Sequence, residues 1–243
     1  MSLVELTWAW LTDPAQWSGY AGIPARLGEH IFYTFLTVAI ACAIALPIGA
    51  YVGHTGRGRV VVVGLAGALR AVPTLGLLVL FVLLAGIGLM PPIWALVILT
   101  VPPVLAGTYS GIAAVDPVVV DAARAQGMRE HQVLLFVELP NALPVIFGGI
   151  RAGVLQVIAT ATVVAYTNLG GLGRYIFDGL ALSDYPQMLG GSVLVAALAV
   201  VADLVLGAIL RRLAPRSTSR ELPAPELPAP DLLVQEIVKE GTP

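Results

Sequence analysis

Charged residues are absent from four long stretches of the chain: 31–53, 71–115, 152–173 and 185–202, the last running on to 210 past a lone Asp203. A membrane-spanning helix needs about 20 apolar residues to cross a hydrocarbon core of about 30 Å. The stretch 71–115 holds 45 residues. As one helix it would be roughly 68 Å long, at about 1.5 Å per residue. That is two crossings and a turn, and Gly86, Gly88 and Pro91-Pro92 mark the turn. The pattern therefore predicts an all-α polytopic membrane protein with five transmembrane helices. They fall near 30–53, 58–88, 92–113, 143–166 and 187–212.

The longest polar segment between spans is 114–141. Asp116 followed by Pro117 is a helix start, an N-cap and then proline at the first helical position. Asp121 to Gln126 are mostly good helix formers. Gly127 then suits the position just past a helix end. The stretch 128–139 is again helical in pattern, and Pro140 is expected to break or restart it. Two short helices joined at a glycine are predicted.

Composition agrees with the pattern. Hydrophobic types make up 58% and charged types 12%, with a net charge of −2. No basic field exists to grip nucleic acid, so none is expected as a partner. The single cysteine excludes an internal disulfide. His30, His54 and His131 are dispersed, and no metal site is expected.

Arg and Lys set the orientation. Nine of them follow the first, third and fifth spans, and only Arg26 and Arg174 fall on the other side. The N-terminus is expected outside and the C-terminus in the cytoplasm. Trp8, Trp10, Trp17, Tyr20 and Trp94 would then form an outer aromatic belt facing membrane lipid. Residues 1–27 are expected to be an extracytoplasmic amphipathic segment, since a cleavable signal would need a basic start. Residues 28–213 form the membrane domain. Residues 214–243 contain the repeat ELPAPELPAPDLL and are expected to be an extended, disordered cytoplasmic tail.

The polar segment resembles the cytoplasmic signature of permease subunits of bacterial ABC importers. That signature is Glu-Ala-Ala, three residues, Gly, nine residues, Ile, one residue, Leu-Pro. Here Asp121-Ala122-Ala123, Gly127, Val137 and Leu139-Pro140 stand at the same spacings, with Asp for Glu and Val for Ile. The match also falls before the last two spans, as in that family. Further segments are similar to the permeases for glycine betaine, choline and proline betaine. They are Arg70-Ala71-Val72-Pro73-Thr74-Leu75-Gly76, and residues 102–112, 127–151 and 161–179. The similarity covers roughly 28–212.

The resemblance implies the type I importer fold, as in methionine permeases, and a bacterial inner-membrane location. It implies that Asp121, Ala122, Ala123, Gly127, Val137, Leu139 and Pro140 dock on an ATP-binding subunit. It further implies two such subunits, a second permease copy or paralogue, and an extracytoplasmic solute-binding protein. ATP and Mg²⁺ would be bound by the partner, with no cofactor and no hydrolysis in this chain. The cargo expected is a compatible solute such as glycine betaine, choline, proline betaine or carnitine.

Candidate path residues are Arg70, Pro73, Thr74, Tyr109, Gln156, Thr160 and Asp203. Arg70 stands about 11 residues past Arg59, roughly 16 Å along a helix and deep in the membrane. Such a charge faces the bundle or a cavity. It would repel a cationic solute unless a carboxylate neutralises it, and Asp203 is the acid at hand. Pro73 breaks the helix beside it and frees backbone groups to line a cavity. Tyr109, Gln156, Thr160 and Thr162 either line the path or bond neighbouring helices. Arg151 is expected to reach back to the cytoplasmic interface. Gly170-Gly171-Leu172-Gly173 lacks the Lys-Ser/Thr of a phosphate loop, and a tight external turn is expected. Three readings compete: the same machine with an amino acid or methionine as cargo, an ATP-independent transporter or channel, and an intramembrane enzyme. The last needs a carboxylate pair or metal cluster in the spans, which the sequence does not offer.

Overall fold

The computed structural model describes residues 2–167 and 169–213, without the side chains of Arg70 and Leu213. The described residues form α-helices with short 3₁₀ and π turns and no strand. In chain order the helices are α1 Leu3–Thr12, α2 Ile23–Thr55, α3 Arg59–Arg70, α4 Thr74–Ala85 and α5 Met90–Ala113. They continue with α6 Pro117–Ala125, α7 Glu130–Val133, α8 Leu139–Val164, α9 Gly173–Leu182 and α10 Tyr185–Leu213.

Four segments are long and apolar enough to cross a membrane singly: α2, α5, α10, and the run Glu130–Thr167 that contains α8. The expected second span is different. Residues 58–88 do not make one rod but α3 and α4, bent by 92° at the break. Pro73 explains the break. It has no N–H to give the helix, and it pushes Val72 away from the helical region. Pro73 instead stands at the N-cap of α4 with extended backbone, φ −62° and ψ 120°. The fifth crossing therefore exists only as a bent pair. The first long helix also begins earlier than expected, at Ile23 rather than near 30.

At the centre stands α5, with 61% of its apolar window buried, whereas α10 has 6% buried and stands at the edge. Helix α5 lies between α2 and α8. The contact with α2 is built by Tyr33, Ala41, Ile93 and Val97. A second cluster joins Leu78 of α4, Ala95 and Leu96 of α5, and Val157, Ala161 and Val164 of α8. In lipid there is little hydrophobic drive between helices, so close van der Waals approach through small residues holds them. Gly107 and Gly149 supply that approach. A Cβ added at Gly107 would stand 2.7 Å from the Gly149 Cα, and one at Gly149 would stand 2.8 Å from the Pro103 carbonyl oxygen.

At the bundle end where α2 begins, α1 packs on α9 and α10. Helix α1 is held by a capping box, Ser2 Oγ accepting from the Glu5 N–H and Glu5 accepting from the Ser2 N–H. Trp10 is not part of an outward belt. Its ring meets Tyr175 edge-on at 5.1 Å, and Gly190 leaves room for it. Trp8, Trp17 and Tyr20 do remain exposed.

Candidate functional site

The signature loop is a small folded unit. Asp116 caps α6, its carboxylate accepting from the Val118 N–H at 2.9 Å. Gly127 ends it in the left-handed region at φ +83°. The Gly127 N–H donates to the Arg124 carbonyl at 2.9 Å and the Met128 N–H to the Ala123 carbonyl at 3.3 Å. This is the paired closure that satisfies the last carbonyls of a helix. The glycine joint expected from the spacing is thus present.

The second half departs from expectation. Pro140 neither breaks nor restarts the helix. Glu130 to Val164 run on without a gap, through a π turn at Leu134–Glu138 in which the Leu139 N–H donates to the Leu134 carbonyl. Pro140 has no N–H to give to the Phe136 carbonyl and crowds it. A π turn one residue earlier accommodates the missing bond inside a continuous helix.

Signature residues divide between inside and outside. Ala123 is 7% exposed and packs with Val120 and Val133, with Val137 laid against them. Leu139 packs against Ile112, Ala142 and Ile146. Asp121, Ala122, Gly127 and Pro140 face outward. Of the two alanines expected at the docking surface, Ala122 is exposed and Ala123 is buried. Ala123 is small because the loop's own core is small. Val118 and Val119 are exposed beside Ala122 on α6.

A polar chain ties this loop to α2, and sequence reasoning missed it. His54, in the last turn of α2, has Nδ1 2.6 Å from a Glu138 carboxylate oxygen and Nε2 3.2 Å from one of Glu130. Arg124 donates to Glu130 through Nε and Nη2, both at 3.1 Å, and reaches Asp121 at 3.4 Å. Glu138 is 4% exposed. The partners are 84 positions apart for His54 and Glu138, so no local pattern announces them. The one usable signal was a Glu in an otherwise apolar run just before Leu139-Pro140.

The candidate path residues make separate contacts among the described residues. Arg70 closes α3, and its side chain lies outside the described residues. Thr74 opens α4 beside the Pro73 break. Tyr109 faces α3 in a cleft with Val62, Ala66 and Gly67, and Arg59 lies 6.0 Å from its ring centre. Gln156 donates to the Leu99 carbonyl at 2.8 Å and so joins α8 to α5. Thr160 donates to the Gln156 carbonyl of its own helix. Asp203 is bound by Arg151, through Nε and Nη2, both at 2.7 Å. The partner that the described residues give Asp203 is therefore Arg151, while the Arg70 side chain lies outside them.

At the opposite bundle end, Glu29 accepts the Gly171 N–H at 2.7 Å and a bond from Arg26 at 3.0 Å. His30, fully buried, donates from Nε2 to the Ile158 carbonyl at 3.0 Å. The turn over 170–173 is therefore clamped to the start of α2.

The helical architecture, the folded loop and its spacing define a transport component. The chain belongs to the family described as binding-protein-dependent transport system inner membrane component, which matches residues 22–219. It is the permease subunit of an ABC importer, seated in the inner membrane, and its kind works with ATP-binding and solute-binding partners. It is similar to the carnitine transport permease protein OpuCB of Listeria monocytogenes, 35% identical over 78% of this chain and 87% of that protein. The choline transport system permease protein OpuBB of Bacillus subtilis (strain 168) is 35% identical over 79% of this chain and 88% of its own. Among solved structures, an inward-facing MetNI methionine ABC transporter shares the fold. Its TM-score is 0.71 at 20% identity, over 84% of this chain and 100% of that one.

Proposed function

We propose that this permease carries a small quaternary ammonium solute such as glycine betaine, choline, proline betaine or carnitine into the cell. The supporting observation is the identity of about one third, over more than three quarters of the chain, to permeases named for carnitine and choline. The likeness to a methionine transporter stands at 20% identity and carries the fold alone. In this reading the N-terminus is extracytoplasmic, on the nine-to-two split of Arg and Lys. Two copies of the chain, or this chain and a paralogue, enclose the path. Two ATP-binding subunits hydrolyse the ATP, and this chain performs no chemistry of its own. An external solute-binding protein sets specificity. Residues 1–27 lie on the outer face, and the tail expected over 214–243 lies outside the described residues.

The outer face of the signature loop is the docking surface for the ATP-binding subunit. Asp121, Ala122 and Gly127 contact it directly, with Val118 and Val119 alongside. Ala123, Val137 and Leu139 serve the contact from within by holding the two short helices at their angle, and Pro140 marks the return to the membrane. The break at Arg70, Pro73 and Thr74 lies on the path, with Tyr109 facing the same bent pair, while Gln156, Thr160 and Asp203 hold the walls.

Uptake of labelled solutes by cells expressing the whole operon, in a host stripped of osmoprotectant transport, tests this. Saturable choline or glycine betaine uptake is expected. Uptake of methionine or another amino acid in its place would overturn the cargo. Ala122→Glu should remove the ATP-binding subunits from the purified complex while the permease stays in the membrane. Unchanged co-purification would overturn the docking surface.

A further inference from the structure

Helix α2 holds 33 residues and is about 50 Å long at about 1.5 Å per residue. It is gripped at both ends by polar contacts rather than by packing alone. At its start, Glu29 and His30 hold the turn over 170–173 and the α8 backbone. At its last turn, His54 holds Glu138 and Glu130. The His54 side chain is 11% exposed and that of Glu138 is 6% exposed, whereas that of Glu130 is 61% exposed.

The second grip is unusual in what it joins. Glu138 belongs to the π turn that leads into α8, and Glu130 opens the second helix of the signature loop. Arg124 and Asp121, on the first helix of that loop, continue the chain through Glu130. One imidazole therefore contacts the loop's second helix and the root of α8, and is linked to the first helix through Glu130 and Arg124. Both ring nitrogens face carboxylate oxygens. A neutral ring has one donor and one acceptor, so only the doubly protonated ring gives each carboxylate a hydrogen. Stability alone does not call for such a buried pair, because apolar residues of similar volume commonly replace one at no cost. A directional polar tie differs from a greasy contact in resisting sliding and rotation.

We infer that His54 is a positioning residue for energy coupling. It locks α2 to the signature loop, so that displacement of the loop moves α2 as a rod instead of being lost at the loop's root. This rests on the proposed docking of that loop. The two-sided contact of one ring with Glu138 and Glu130 is the working feature. Removing it leaves the ATP-binding subunits docked and hydrolysing, but the transport step slips.

The test measures solute moved per ATP hydrolysed by the complete complex in proteoliposomes, with the binding protein added. His54→Ala, and the double change His54→Leu with Glu138→Leu, are compared with the parent. Both should co-purify with the ATP-binding subunits and keep stimulated ATPase, while solute per ATP falls by about tenfold, a normal size for coupling between sites. His54→Lys, which keeps a cation, should recover part of that loss. A parental ratio in an assembled His54→Ala or double variant overturns the inference. If neither reaches the membrane, Glu130→Gln decides, since its exposed carboxylate can be exchanged without burying anything. A reduced ratio supports the tie and a parental ratio overturns it. Failure of docking itself would appear separately, as ATP-binding subunits retained by Ala122→Glu.

Discussion

Gly127 sits with φ at +83° and nothing within 4 Å of the Cβ another residue would bring. Within the chain its requirement is thus one of backbone, the left-handed conformation that L side chains enter at a cost of about 1 kcal/mol. Glu130, three residues on, is the charged counterpart of that joint. Hydrogen bonds from Arg124 hold its carboxyl below the ordinary carboxylate range, and nearby His54 adds to the effect. The folded loop then binds fewer protons at this site than the unfolded chain. Its stabilisation is complete above the ordinary carboxylate value and is lost as pH falls through the lowered one. Amide-exchange protection over 117–133 should therefore persist into the ordinary carboxylate range and fade only below it, with Glu130→Gln insensitive over that interval. Fading at higher pH in the parent would contradict the assignment. At this scale the sequence was informative where rules are local. The Asp116 cap and the Gly127 closure follow from neighbours within a few positions. His54 did not stand out, because its partners come from a different helix. The burial of Ala123 was not legible, because nine helical residues cannot reveal that a loop has an interior of its own.

Elements were counted well from the charge-free stretches and shaped less well. Apolar length says how much membrane a segment can cover, so α2, α5, α8 and α10 were all legible. It does not say whether the segment is straight, and residues 58–88 bend at Pro73. Nor could Pro140 be recognised as compatible with a continuous helix, since the π turn beside it depends on backbone bonds that no residue type announces. Helix-to-helix fit depends on glycine in the same hidden way. Gly148 and Gly149 are neighbours in sequence, yet Gly148 has open space and Gly149 abuts the α5 backbone. Gly149→Leu should lower the stability of the purified permease by at least about 3 kcal/mol, the upper end for overpacking, while Gly148→Leu should leave it near the parent. Thermal unfolding in detergent compares the two. Equal behaviour would show that α5 and α8 do not meet as closely as described.

Across the whole molecule, which charges meet inside the spans depends on rotation about the helix axis, which depth alone does not give. Among the described residues, α8 brings Arg151 to Asp203 at 2.7 Å. An unpaired charge in hydrocarbon is costly, and removing one partner leaves the other uncompensated. Arg151→Gln and Asp203→Asn should each reduce folded membrane protein several-fold, and the double change should recover much of the loss. Harmless single changes would remove the pair from any account of assembly. The bare backbone strip on α5 has a further implication, for biogenesis. In a chain made from its N-terminus, α2 and α5 emerge ahead of α8. Until then the Gly107 side of α5 presents a slot that no earlier segment fills. The two glycines thus set an order as well as a distance: the slot on α5 stays open until α8 comes to lie against it.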